Sequence, residues 1–210
     1  MFAVAEKVVT LPAMPDSKLK VLAVVGSLNK NSVTRAVVQH VVSRLQADPC
    51  EVDMLDLLEE PMALYNPDLA SKTPGFAALQ ARVHQADVYV LGTPDYHGSI
   101  SSAMKNFLDH FWQEFTGKLF ATIVASHEKG LTVTDQLRTV ARQCYAWTLP
   151  YGLSFSASDD VREGVITSEA LKNRLEMFAR DVRVYGELFA RQRQADLAGT
   201  EPGFMERLRK

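Results

Sequence analysis

The sequence predicts one α/β domain with helices packed on both faces of a mainly parallel sheet. Three observations carry the prediction. Short apolar runs of strand length recur along the chain, amphipathic runs of helical period lie between them, and 47% of the 210 residues are hydrophobic, enough for one large core. Five strands alternating with five helices imply right-handed crossovers. A single domain over residues 1–210 is expected, its core running from about Lys20 to Arg191, with the two ends as arms or tails.

The elements follow in order. Lys20-Val21-Leu22-Ala23-Val24-Val25 is apolar on both faces and stops at Gly26, as a buried parallel strand does. Helical spacing begins after Ser32, an N-cap candidate, at Val33, Val37, Val41 and Leu45. Glu51 to Asp56 alternates like a strand near an edge, and a long loop with Pro61, Pro67, Pro74 and Gly75 leads to a helix at Phe76 to Gln85. Asp87 to Thr93 reads as the third strand, Ser99 to Phe115 as the third helix and Lys118 to Ser126 as the fourth strand. Thr132 to Trp147 is the fourth helix and Leu149 to Phe155 the fifth strand. The closing helix opens at Thr167-Ser168-Glu169-Ala170 and continues through Leu171, Leu175, Phe178, Val182 and Leu188.

Composition narrows the function. With 23 basic and 25 acidic residues, the bulk charge recommends neither nucleic acid nor an anionic membrane as partner. Cys50 and Cys144 lack any CxxC spacing, which argues against a metal knuckle or redox dithiol. No apolar run is long enough to span a bilayer and Met1 to Lys18 does not read as a secretory leader, so a cytoplasmic protein is expected.

In a doubly wound sheet, ligands sit beyond the carboxyl ends of the strands. The first loop there, Gly26 to Arg35, offers hydroxyls at Ser27, Ser32 and Thr34 beside the free amides of a helix start, a setting for a phosphate. The competing reading is that Ser32 only caps its helix. Neither GxGxxG nor GxxxxGK[ST] occurs, which disfavours a dinucleotide Rossmann site and a nucleoside triphosphatase.

The second loop is Thr93-Pro94-Asp95-Tyr96-His97-Gly98-Ser99. Gly92 and Gly98 permit close backbone approach, Pro94 stiffens the turn, and peptide amides between Asp95 and Ser99 can bond the polar edge of a flat heteroaromatic ligand flanked by Tyr96 and His97. Structural readings compete: Tyr96 plugs the top of the sheet, His97 is solvated, and Ser99 caps the next helix. The third loop, Ser126-His127-Glu128-Lys129-Gly130, faces the same cleft; His127 either contacts a ring or substrate there or is an exposed histidine without a role. No GxSxG nucleophile elbow occurs.

Gly26-Ser27, the hydroxyl-rich stretch to Thr34, and Thr93 to Ser99 followed by Lys105-Asn106-Phe107-Leu108-Asp109 resemble the NADPH-dependent FMN reductase family. The resemblance implies a flavodoxin-like three-layer sandwich with a five-stranded parallel sheet in the order 2-1-3-4-5. It implies FMN as cofactor, its phosphate on Ser27, Asn29, Ser32, Val33 and Thr34, and its ring held by Pro94, Asp95, Tyr96, His97, Gly98 and Ser99. Ser126 and His127 would complete the wall. NADPH or NADH would be the co-substrate, and free FMN, a quinone or a similar small molecule the acceptor.

On this reading no side chain need act as a catalytic acid or base, because amides near the ring stabilise the charge that develops there. The sequence departs from many members at Asn29, where they carry arginine, and in the third loop, where they are glycine-rich. Lys30, Arg35 and Lys129 are candidates by position for the NADPH ribose phosphate. A flavodoxin-like electron carrier that does not oxidise NAD(P)H is the alternative, and a binding module that has lost flavin a third. Phe107, Phe111, Trp112 and Phe115 load the third helix with more apolar surface than one sheet face absorbs, and family members pair through this region. A homodimer or homotetramer is therefore expected, with Lys105, Asn106 and Asp109 serving helix packing and the subunit contact.

Overall fold

A computed structural model describes residues 18–209, and the N-terminal arm expected from sequence lies outside them apart from Lys18. Strand β1 (Leu19–Val25) leads through the first loop to helix α1 (Val33–Ala47) and back to β2 (Cys50–Asp56). After the long proline-bearing loop come α2 (Phe76–Gln85), β3 (Val88–Tyr96), the two-residue β4 (Ser99–Ile100) and α3 (Ser102–Asp109). Then follow β5 (Leu119–Ala125), α4 (Leu131–Gln143), β6 (Trp147–Thr148) and β7 (Leu153–Phe155). Helix α5 (Ala157–Asp160), a small hairpin of β8 (Val161–Arg162) and β9 (Val165–Ile166), and the 30-residue α6 (Glu169–Ala198) complete the order.

The main sheet runs β2-β1-β3-β5, parallel throughout, and both β6 and β7 pair parallel with β5. This is the expected 2-1-3-4-5 order with its last strand in two pieces. The break covers Leu149 to Gly152: Pro150 has no N–H to give the ladder, and a Cβ at Gly152 would stand 2.7 Å from Thr134 Cγ2. One face packs Val21, Ala23 and Val25 against α1 and α6 through Val37, Val41, Leu175, Phe178 and Val182. The other packs Leu22, Val24, Leu91 and Phe120 against α2, α3 and α4. The inner strands β1, β3 and β5 are therefore buried on both sides, which is why they read as continuous apolar runs, whereas the edge strand β2 is partly exposed and alternates.

The third helix differs from expectation. β3 continues past Pro94 and turns back as a hairpin, so α3 starts at Ser102, with Ser101 as its cap, and ends at Asp109. Phe107, Phe111 and Phe115 are buried in the chain's own core, with Phe115 5.1 Å edge-on to Phe120. The aromatic load that argued for self-association is thus absorbed internally, leaving only Trp112, 50% exposed. Asn106 staples the long loop to α3, its Oδ1 accepting from Tyr65 N and its Nδ2 donating to the Ala63 carbonyl.

The C-terminal stretch is not a loose tail. Residues 199–209 fold back so that Met205 is buried against Gly117, and Arg209 Nε donates to the Asp196 carbonyl at 2.8 Å. The β8–β9 hairpin, missed in the sequence, turns on Glu163 and Gly164, both at positive φ (50° and 78°). No helix among the described residues is long and apolar enough to cross a membrane.

Candidate functional site

Gly26 closes β1 where space is scarce: a Cβ there would sit 2.8 Å from Met104 Cβ. Its amide donates to the Gly92 carbonyl at 2.7 Å, and its carbonyl accepts from the Ser101 hydroxyl at 2.5 Å. The ends of β1 and β3 are thereby stitched to each other and to the start of α3. Ser32 caps α1, its Oγ accepting from Arg35 N at 3.1 Å, as the structural reading held. The amides of Val33 and Thr34 belong to the first turn, where no carbonyl four residues back serves them, so capping and anion binding are compatible. Ser27 is buried and its Oγ lies 3.4 Å from Asn29 N. Asn29 uses Oδ1 for a local turn to Asn31 N at 2.9 Å, and Thr34 is buried.

Arg35 does not extend toward a nicotinamide cofactor. Its guanidinium is held by Asp56 and by the carbonyls of Ser27, Asn29 and Lys30, which removes it as a candidate for the ribose phosphate. Lys30 and Lys129 stay exposed.

The second loop is a two-residue hairpin turn, with Tyr96 opposite Ser99 and both His97 and Gly98 at positive φ (56° and 74°). Buried Thr93 accepts from Ser101 N at 3.1 Å, locking the hairpin onto α3. Asp95 bridges two loops: one carboxylate oxygen accepts from Gly98 N and the other from the Ser126 hydroxyl, each at 2.8 Å. Gln136 of α4 accepts from Ile100 N at 3.1 Å and donates to the Gly98 carbonyl at 3.2 Å. Two of the hairpin's amides, those of Gly98 and Ile100, are therefore satisfied by the protein itself. Tyr96 is 51% exposed and does not plug the sheet, His97 is exposed, and Ser99 bonds Gln136 while Ser101 does the capping.

In the third loop Ser126 is buried, its amide donating to Phe155 O at 2.9 Å, whereas His127, Glu128 and Lys129 are exposed. Gly130 opens α4 at φ 59°, where a Cβ would meet Val124 Cγ1 at 2.9 Å. The second and third loops enclose a cleft of about 770 Å³ lined by Asp95, His97, Gly98, Ser126 and His127 among others, within the size range of small-molecule sites. Ser27, Asn29, Ser32, Val33 and Thr34 stand on the neighbouring strand end and do not line that cleft.

Sequence reasoning missed the Arg35–Asp56 pair, Gln136 and Ser101. The first pair is 21 residues apart and meets only because β2 lies beside β1. Ser101 carried a readable signal, a serine three residues before Met104, but Ser99 offered the same signal two residues earlier.

The profile of the NADPH-dependent FMN reductase family matches residues 19–160. An FMN-dependent NADPH-azoreductase of Staphylococcus haemolyticus (strain JCSC1435) is 30% identical over 151 residues, covering 67% of this chain and 79% of that protein. One from Staphylococcus aureus (strain USA300) is 28% identical with the same coverage. Among solved structures, a flavoenzyme NAD(P)H:(acceptor) oxidoreductase from Paracoccus denitrificans superposes with a TM-score of 0.67 at 21% identity, over 81% of this chain and 98% of that one. A flavodoxin from the domain Archaea gives a TM-score of 0.58 at 11% identity over 80% and 99% of the two chains. These structural likenesses show the flavodoxin-like fold. With its profile match spanning most of the chain and the azoreductase relative beside it, this chain belongs to the NADPH-dependent FMN reductase family and is an NAD(P)H-dependent flavin oxidoreductase.

Proposed function

We propose that the protein holds FMN across the carboxyl ends of β1, β3 and β5 and takes electrons from NADPH to a small acceptor: free FMN, a quinone or, as the relatives' names indicate, an azo compound. The observation that carries this reading is the stitching of the end of β1, which leads into the open start of α1, to β3 and the start of α3: Gly26 bonds both Gly92 and Ser101, so a phosphate subsite and a ring subsite stand side by side. The residues present fit the group. First-turn amides of Val33 and Thr34, with the Ser27 and Ser32 hydroxyls, suit a dianionic phosphate, and the free amide nitrogen of Asn29 adds a donor without a charge.

Held there, FMN would supply the redox chemistry, hydride acceptance from reduced nicotinamide and electron transfer to the acceptor. The chain's own part is placement. Pro94 to Ser99 present a stiff peptide edge, Tyr96 and His97 offer exposed rings beside it, and Ser126 and His127 form the far wall. Asp95 keeps the two walls at a fixed separation through its paired bonds to Gly98 and Ser126. Lys129, exposed on the rim, is placed for the ribose phosphate of NADPH. One cleft serving donor and acceptor in turn gives ping-pong kinetics.

A homodimer or homotetramer belongs to the same proposal, with Trp112 at the contact; a monomeric mass at micromolar concentration refutes it. The activity is tested by recording the visible spectrum of the purified protein and following NADPH and NADH oxidation with and without FMN. Yellow protein that turns over NADPH with parallel initial-rate lines supports the reading. Yellow protein that never oxidises either nicotinamide returns the electron carrier, and intersecting lines overturn the shared cleft.

A further inference from the structure

Arg35 lies on the first turn of α1, and every bond its guanidinium makes goes to Asp56 or to carbonyls of the loop before the helix. Nη1 donates to Asn29 O at 2.9 Å and Lys30 O at 3.2 Å. Nη2 reaches Ser27 O at 3.4 Å and Asp56 Oδ1 at 3.2 Å, and Nε pairs with Asp56 Oδ2. Asp56, at the end of β2, is 5% exposed and is itself fixed by Leu58 N, 3.0 Å from Oδ1, while its carbonyl accepts from the amides of Glu59 and Glu60. One planar cation therefore gathers three of the four carbonyls between residues 27 and 30, with a buried carboxylate behind it.

That arrangement has a geometric consequence. In a trans peptide the C=O and the following N–H point in opposite directions. Turning the carbonyls of Ser27, Asn29 and Lys30 onto Arg35 turns the amides of Leu28, Lys30 and Asn31 away from it. Asn29 Oδ1 takes the Asn31 amide. The Leu28 and Lys30 amides are left on the side opposite the guanidinium. Amides turned to one side beside an open helix start make an anion-binding concavity. The charge of Arg35 is balanced by Asp56, so its contribution is orientation and not bulk attraction.

We infer that Arg35, held by Asp56, is a positioning residue that presents the loop amides to the flavin phosphate; this rests on the reading that the loop after β1 holds that phosphate. The competing role is direct contact, in which Arg35 leaves Asp56 to meet the phosphate. The two roles respond oppositely to Asp56→Asn. Under positioning, the clamp slackens and phosphate binding weakens. Under direct contact, a competing anion disappears and phosphate binding tightens.

The experiment titrates wild type, Arg35→Gln, Arg35→Lys and Asp56→Asn with FMN and with riboflavin, which lacks the phosphate, following flavin fluorescence. Expected is a loss of roughly tenfold to a hundredfold in FMN affinity for Arg35→Gln and Asp56→Asn, the range for bonds to a charged group, with riboflavin affinity held within about twofold. Arg35→Lys, with a point charge in place of the fork, falls between, and carries the test if Arg35→Gln does not fold. Tighter FMN binding by Asp56→Asn, or equal losses for both flavins, overturns the positioning role. A wild type that does not distinguish FMN from riboflavin removes the phosphate reading itself, and the inference with it.

Discussion

Gly92 is the position where the fold and the site depend on the same missing atom. A methyl group added there would run into Val38 Cγ2 and stand 3.2 Å from Thr34 Cγ2, both on α1. Its φ is not in the left-handed region, so the requirement is for space and not for torsion. Val38 is fully buried and β3 is central in the sheet, so neither neighbour has room to yield. Overpacking of this kind costs about 1–3 kcal/mol, which we expect for Gly92→Ala.

Val38→Ala alone removes two methyl groups from the core and should cost about 2 kcal/mol. In the double variant the new methyl at position 92 enters the space that Val38 vacates. The double should then be no less stable than Val38→Ala, a coupling of about 1–3 kcal/mol, equal to the cost of Gly92→Ala alone. Urea denaturation of the four proteins closes the cycle. Additivity of the two single effects within about 0.5 kcal/mol would refute the close-approach argument.

Gly98→Ala makes the contrast: its nearest non-local atom is Thr132 Oγ1 at 3.6 Å, but its φ of 74° should cost about 1–2 kcal/mol that no trimming of a neighbour restores, read by the same denaturation assay. Asp95→Ala should release the hairpin from the third loop and weaken FMN and riboflavin alike, by about tenfold in fluorescence titration; an unchanged affinity would remove the bridge from the ring site. Lys118, buried at the foot of β5 and donating to the Val83 and His84 carbonyls at the end of α2, has its ammonium pushed down to about 7, first by burial, with Arg193 adding and Asp87 and Glu114 opposing. The unfolded lysine keeps its ordinary value, so between about pH 7 and pH 10 the unfolded chain binds more protons, and stability rises with pH by up to about 1.4 kcal/mol per unit. Lys118→Met should lose that rise, and equal slopes of urea midpoint against pH in the two proteins would count against it.

The legible part of the fold was its parallel core. Strands buried on both faces advertise themselves as runs such as Leu22 to Val25, and Ser32 and Ser168 mark helix starts because each stands just before a run of helical period. What escaped was decided by tertiary partners. The hairpin at His97-Gly98 depends on Asp95 and Gln136, and Gln136 arrives from a helix 38 residues beyond Gly98. A histidine at φ 56° is a poor advertisement for a turn, so the segment read as a loop leading straight into a helix. The aromatic residues between Phe107 and Phe115 read equally well as core or contact surface, and the packing of Phe107, Phe111 and Phe115 settles those three as core. Of the candidate site, the three loops were visible from their position after apolar strands, but the bonds that set their mutual geometry were not, since Arg35–Asp56 and Asp95–Ser126 join elements distant in sequence.

The divided last strand has a bearing on how the protein behaves when crowded. Its edge presents two residues, then a break containing Pro150, then three more, so an incoming strand from another molecule meets two short ladders out of reach of one another. Joining a second molecule to such an edge gains few hydrogen bonds for the ordering it demands. On this side, then, the molecule is guarded against runaway sheet extension by an interruption of its own backbone, and Arg138 and Arg174 occupy the Pro150 and Ser154 carbonyls there.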